Sequence, residues 1–141
     1  YRYTGLAPMT REETWNRILA RTGHWSALGH GPFAVVDKAS GAFIGETGLG
    51  RFRRGLGADF DEDDEALWVF TGAAHGKGIA QEAARAALDW YDRTRQSRRS
   101  VCIIRPENHS SLRLAHKLGY APYDERTYKE RPIILLERMV G

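Results

Sequence analysis

The 141 residues predict a single α/β (α+β) domain with a mixed, mostly antiparallel sheet flanked by helices. Three observations carry that expectation. Glu65-Ala66-Leu67-Trp68-Val69-Phe70 is apolar after its glutamate with no polar alternation, as a strand covered on both faces should be. Thr71-Gly72-Ala73-Ala74 breaks that run, and His75-Gly76-Lys77-Gly78-Ile79-Ala80 leads into a helix with Ile79, Ala83, Ala87 and Trp90 on one face and Glu82, Arg85, Asp89 and Arg93 on the other. Further helices and strands surround this unit, and no repeat, low-complexity segment or linker divides the chain, so residues 1–141 read as one domain.

Taken in order, Thr10-Arg11-Glu12-Glu13 has the form of a capping box ahead of Trp15, Ile18 and Leu19, which predicts a helix over about residues 11–21. Gly29-His30-Gly31-Pro32 is turn chemistry. Phe33 to Val36 and Ala42 to Thr47 then read as a hairpin joined by Lys38-Ala39-Ser40-Gly41. The stretch from Arg51 to Asp64 holds Gly55, Gly57 and the acids Asp59, Asp61, Glu62, Asp63 and Asp64, and is expected to be a surface loop too polar to bury and able to attract cations. A strand from Ser100 ends at Arg105, before Pro106. Asn108 and Gly119 bracket a helix over 109–117, and Tyr120–Tyr128 and Ile133–Val140 close the chain as two strands linked through Lys129 to Pro132.

With 42% hydrophobic and 28% charged residues the composition is that of an ordinary globular protein. No apolar run approaches the roughly 20 residues that span a bilayer, so no membrane partner is expected. The one cysteine, Cys102, lies in an apolar run and has no intrachain partner, which fits a cytoplasmic setting. A net charge of +3 and the arginines Arg51, Arg53, Arg54, Arg93, Arg95, Arg98 and Arg99 leave an arginine-rich nucleic-acid-binding protein as one alternative, but a solvated surface that attracts an anionic cofactor is the favoured reading. No His/Cys/Asp/Glu group has metal-ligand spacing, so no metal is expected.

Gly76 and Gly78 leave the backbone open to a ligand, and the first amides of the helix that follows lack partners within it, which makes an anion site. The dinucleotide fingerprint fails at Gln81, and the phosphate-loop pattern fails because Gly78 follows Lys77. The stretch instead resembles the acetyl-CoA signature of the GNAT N-acetyltransferases, [Gln/Arg]-x-x-Gly-x-[Gly/Ala], with Gly78 and Ala80 at the small positions and His75 where Gln or Arg is usual. Asn108-His109-Ser110-Ser111 followed by Lys117-Leu118-Gly119-Tyr120 resembles the second block of the RimJ/RimL-like branch. The resemblance implies that an amino-terminal strand and helix are missing before Tyr1.

The resemblance also implies acetyl-CoA as cosubstrate, held where two neighbouring strands splay apart. Val69 and Phe70 would grip the pantetheine through their backbones, and His75, Gly76, Lys77, Gly78, Ile79 and Ala80 would surround the pyrophosphate. Asn108 would contact the pantetheine and Ser111 the sulfur, Ser111 standing in for the tyrosine acid that many members carry where this chain has Ala115. Glu65 opens the strand at the position of a general base in several members, with Asp63 and Asp64 expected to raise its pKa by charge repulsion, and Glu46 is the rival base. The implied activity is N-acetylation of a primary amine, either a protein α-amino terminus or a small molecule, by direct attack in a ternary complex. Bringing a lysine-type amine to neutrality at pH 7 costs about 4.6 kcal/mol against about 1.4 kcal/mol for an α-amine, so weakly basic amines are the easier acceptors. A GNAT-like module that binds acyl-CoA without turnover is the second alternative, and homodimerisation is left open.

Overall fold

The computed structural model describes residues 10–72, 78–95 and 97–140. They form α1 (Arg11–Leu28), β1 (Pro32–Val36), β2 (Phe43–Gly50), α2 (Ala58–Asp61), β3 (Asp64–Phe70), α3 (Ile79–Thr94), β4 (Arg99–Ile104), α4 (His109–Leu118), β5 (Ala121–Tyr128) and β6 (Arg131–Met139). The six strands make one sheet in the order β1-β2-β3-β4-β6-β5. Only β3 and β4 run parallel, because α3 crosses between them, while short turns join the antiparallel β1–β2 and β5–β6 pairs. The sheet is therefore mixed and mostly antiparallel, as expected.

Two clusters fill the two faces. Leu49, Ala66, Cys102, Ile104 and Leu136 point to the face where Ala84, Leu88 and Tyr91 of α3 and Ala115 and Leu118 of α4 pack. Val101 alternates with Cys102 along β4, so it joins Leu56, Phe60, Ile133 and Leu135 on the opposite face. Cys102 is fully enclosed, and burial pushes its thiol well above the ordinary range.

Three expectations are corrected. The first helix does not stop near residue 21. It passes through Gly23 and ends at Gly29, a left-handed cap (φ 75°) whose amide bonds to Trp25 O. Trp25 holds this extension in place, with its ring 4.9 Å from Phe33 and 5.5 Å from Trp90 and its indole N–H donating to Pro32 O. The buried face of α3 is Ala84, Ala87, Leu88 and Tyr91, about one position on from the expected stripe.

Third, the acidic stretch from Arg51 is at the surface but not solvated throughout. Phe60 on α2 and Leu56 are buried, and Asp64 belongs to β3. Each of four acids has an internal partner. Asp59 pairs with Arg126, Asp61 accepts from the amides of Gly55 and Leu56, Asp63 pairs with Arg99, and Asp64 accepts from Tyr91 Oη at 2.6 Å and faces Arg51 and His30. Because these charges are matched, the segment can lie against the sheet and cover one end of its Glu65 face.

Candidate active site

The site begins where the parallel pair comes apart. β3 and β4 are in register only at Asp64↔Ser100 and Glu65↔Val101. Beyond that point β4 stays paired with β6 through Ile104, while β3 stays paired with β2 through Phe70. The β3 backbone from Ala66 onward therefore borders a gap that widens toward its carboxyl end. The ladder decides which amides face it. Thr71 N donates to Ile44 O, so in a regular antiparallel alternation Val69 and Leu67 also bond toward β2. Trp68 and Phe70, rather than Val69, then present their N–H groups to the gap.

At the mouth of the gap α3 opens on Gly78, held at φ 70°, a left-handed conformation that favours glycine. Gly78 O accepts from Glu82 N and no side chain caps this end, so the first amides of Ile79, Ala80 and Gln81 have no capping partner among the described residues. His75, Gly76 and Lys77, expected to line the same anion site, lie outside the described residues.

Across the gap, Asn108 caps α4 by accepting from Ser111 N at 3.2 Å, which leaves its side-chain N–H donors out of the cap. Ser111 also meets β3 directly. The Trp68 indole N–H donates to Ser111 Oγ at 3.3 Å. An indole can only donate, so the serine oxygen accepts and its own O–H stays available for another acceptor.

The two glutamates share the sheet face opposite α3 and α4. Register pairs Glu46 with Val69 and Gly50 with Glu65, and directly opposed residues point the same way. Glu65 sits at the vertex of the fork, 3% exposed, gripped bidentately by Arg54 at 2.7–3.0 Å. Arg54 is itself sandwiched, 5.1 Å from the Phe52 ring and 5.3 Å from the Tyr128 ring, and donates to Tyr128 Oη. Burial pushes the Glu65 carboxyl above its ordinary value, and Arg54 only partly offsets this. The added repulsion comes from Asp61, not from Asp63 and Asp64, whose charges face the arginines and Tyr91 named above. For Glu46 burial also pushes upward, but Arg21 and Arg17 outweigh it and hold the carboxyl below its ordinary value.

The fork thus brings together a carboxylate on one face of the sheet, strand amides left unpaired along the gap, and a hydroxyl reaching in from α4 on the other face. A family model described as an acetyltransferase (GNAT) domain matches residues 1–121. The chain belongs to the GNAT acetyltransferase family.

Two relatives agree across nearly the whole chain. YkkB of Bacillus subtilis, named as uncharacterized, is 30% identical over 139 residues, covering 96% of this chain and 76% of its own. The structure of a GnaT-family acetyltransferase from Bordetella pertussis superposes with a TM-score of 0.89 at 38% identity, covering 95% of this chain and 80% of that one. The yncA structure from Salmonella typhimurium, determined with its cofactor acetyl-CoA, shares the fold at a TM-score of 0.71 and 19% identity, covering 89% and 73% of the two chains. This GNAT protein is accordingly an acetyl-CoA-dependent acetyltransferase, and the unpaired amides at the fork and at the start of α3 suit an extended, anionic thioester ligand.

Among the described residues no cluster of His, Cys, Asp and Glu could hold a metal, and no helix is long and apolar enough to cross a membrane. Of the arginines that suggested nucleic acid, Arg51, Arg54 and Arg99 are tied to Asp64, Glu65, and Asp63 with Glu137. Tyr128 and Tyr123 both pack on the Glu65 face, Tyr128 against Arg54 and Tyr123 under Arg99. The sequence reading missed Arg54, Arg21, Arg17 and the polar role of Trp68. Nothing in their spacing marks them, since their partners come from other elements.

Proposed function

We propose that this GNAT enzyme, of the RimJ/RimL-like branch, acetylates a primary amine by direct attack in a ternary complex. The observation that carries the reading is the position of Glu65 at the vertex of the β3–β4 fork, with a raised carboxyl pKa. Acetyl-CoA supplies an acetyl group activated as a thioester. The Trp68 and Phe70 amides, with Val69 between them, hold the pantetheine, and His75 to Ala80 with Asn108 hold the remainder. Glu65, through a water, takes the proton that the amine loses as its nitrogen bonds to the acetyl carbon and the carbon–sulfur bond breaks. Ser111, oriented by Trp68, keeps its proton and donates a hydrogen bond to the departing sulfur, which with a thiol pKa near 8.5 leaves as the thiolate.

Glu46 is the lesser candidate for the base. Two guanidiniums stabilise its charged form, and a carboxylate held ionised in this way is a poor proton acceptor. The RimJ/RimL-like assignment is supported by the Asn108-x-x-Ser111 block, which supplies both the cap and the hydroxyl. Thiol release from acetyl-CoA with a panel of amines, comparing wild type with Glu65→Gln and Glu46→Gln, tests the reading. Turnover is expected to collapse in the first variant and to persist in the second. The opposite order would reassign the base.

A further inference from the structure

The acceptor side of the fork carries more ion pairing than proton transfer calls for. Arg17 and Arg21 come from α1, and Arg54 comes from the segment after β2. All three converge on Glu46 and Glu65, which share one sheet face. Arg21 binds both oxygens of Glu46, at 3.1 and 3.2 Å, and its charge also reaches Glu65. Phe52 lies between Arg21 and Arg54, 5.4 Å from one guanidinium carbon and 5.1 Å from the other. The Phe52 ring and His24 lie over Gly50, where a β-carbon would come within 2.9 Å of Phe52 Cζ and 3.1 Å of His24 Cδ2.

A wall built this way bears on amines according to their second charge. An acceptor bearing only positive charge, such as a polyamine, meets Glu46 and Glu65 when each is already bound by arginine, and it meets the arginines as like charges. An acceptor whose amine stands beside a carboxylate can give that carboxylate to the guanidinium N–H groups that Glu46 and Glu65 leave unused, Arg21 Nη1 above all, while its nitrogen approaches Glu65. The planar, multi-donor guanidinium suits a carboxylate in a way an ammonium does not. The side chains of Arg21 and Arg54 are 21% and 23% exposed, so each keeps a face toward solvent.

We propose that the acceptor is an amine carrying its own carboxylate, of the amino-acid class, with Arg21 and Arg54 as its specificity-determining residues. The inference rests on the amine-acetylation reading above and narrows it.

The test compares L-leucine with L-leucinamide and spermidine as acceptors for the wild-type protein, with rates corrected to the neutral-amine fraction. The two leucine compounds differ at the carboxylate alone. The expected result is a kcat/KM for leucine about tenfold or more above that for leucinamide, with spermidine lowest, as one charge-assisted hydrogen bond would give. Arg21→Gln should bring the leucine-to-leucinamide ratio close to one, mainly through KM, and Arg21→Lys should recover only part of it. Equal or better turnover of leucinamide or spermidine by the wild type overturns the inference while leaving amine acetylation standing. A protein that binds acetyl-CoA yet acetylates none of the three overturns both.

Discussion

Glu65 and Glu46 stand on the same face of the same sheet, each ion-paired to arginine, and yet their carboxyl groups are driven in opposite directions. Glu65 has a side chain 4% exposed and one arginine, and its pKa rises. Glu46 is 16% exposed with two arginines, and its pKa falls. Desolvation is the leading influence on both, so the second guanidinium and the wetter setting are what reverse the sign. The number of arginines around a carboxylate thus sets the direction in which its pKa moves, which sequence position alone does not.

The largest test of that contrast is catalytic. Glu65→Gln is expected to lower kcat/KM by about 10²–10⁴-fold, the usual worth of a positioned general base, while Glu46→Gln costs less than about tenfold with an α-amine acceptor. A pH–rate profile of the wild type should rise with an acid limb above the ordinary glutamate range, and that limb should be missing in the Glu65 variant.

Next in size is the stability of the Glu65 pair. Arg54→Gln leaves Glu65 buried without its counter-charge, and should cost about 3–5 kcal/mol at pH 7 in denaturant unfolding. With its folded pKa raised, Glu65 favours the fold below its unfolded value near 4.5 and loses that contribution as pH rises. The deficit of Arg54→Gln should therefore shrink toward pH 4, where the carboxyl takes a proton. A constant deficit across that range would break the contrast.

Glu46 should behave in the reverse sense. Its lowered pKa gives stability that is present above about pH 4.5 and lost as pH falls below it. Glu46→Gln should cost about 1–2 kcal/mol at pH 7 and converge with the wild type in acid. The smallest effect belongs to Tyr128→Phe, which keeps the ring against Arg54 but removes the hydroxyl that accepts from it. A loss of about 1 kcal/mol or less is expected, with the Glu65 acid limb moved slightly upward.

What could be read from the chain was what short-range physics writes into it. The unbroken apolar run of β3, the glycine that begins α3 and the caps Thr10, Asn108 and Gly119 are decided within a few residues, and all lie where the sequence placed them. The resemblance of two ordered motifs supplied the gap between strands before any coordinates. The buried part of the segment from Arg51 to Asp64 is not legible because its acids look solvated until their partners are known; Asp61 finds its own within the segment, but those of Asp59, Asp63 and Asp64 come from far along the chain. Arg126 reaches Asp59 across 67 positions, and Tyr128 reaches Arg54 across 74. The same distance hid the environment of Glu65. α1 was cut short because a glycine within a helix is an unfavourable local signal, and only the contacts of Trp25 with Phe33 and Trp90 override it.

The burial of Cys102 also bears on how turnover can be watched. A sulfhydryl enclosed by strands and helices and held in its protonated form is a poor nucleophile toward a chromogenic disulfide reagent. While the protein stays folded, the colour that develops in such an assay comes from free CoA, so this enzyme can be followed continuously, at high protein concentration, with almost no background from itself.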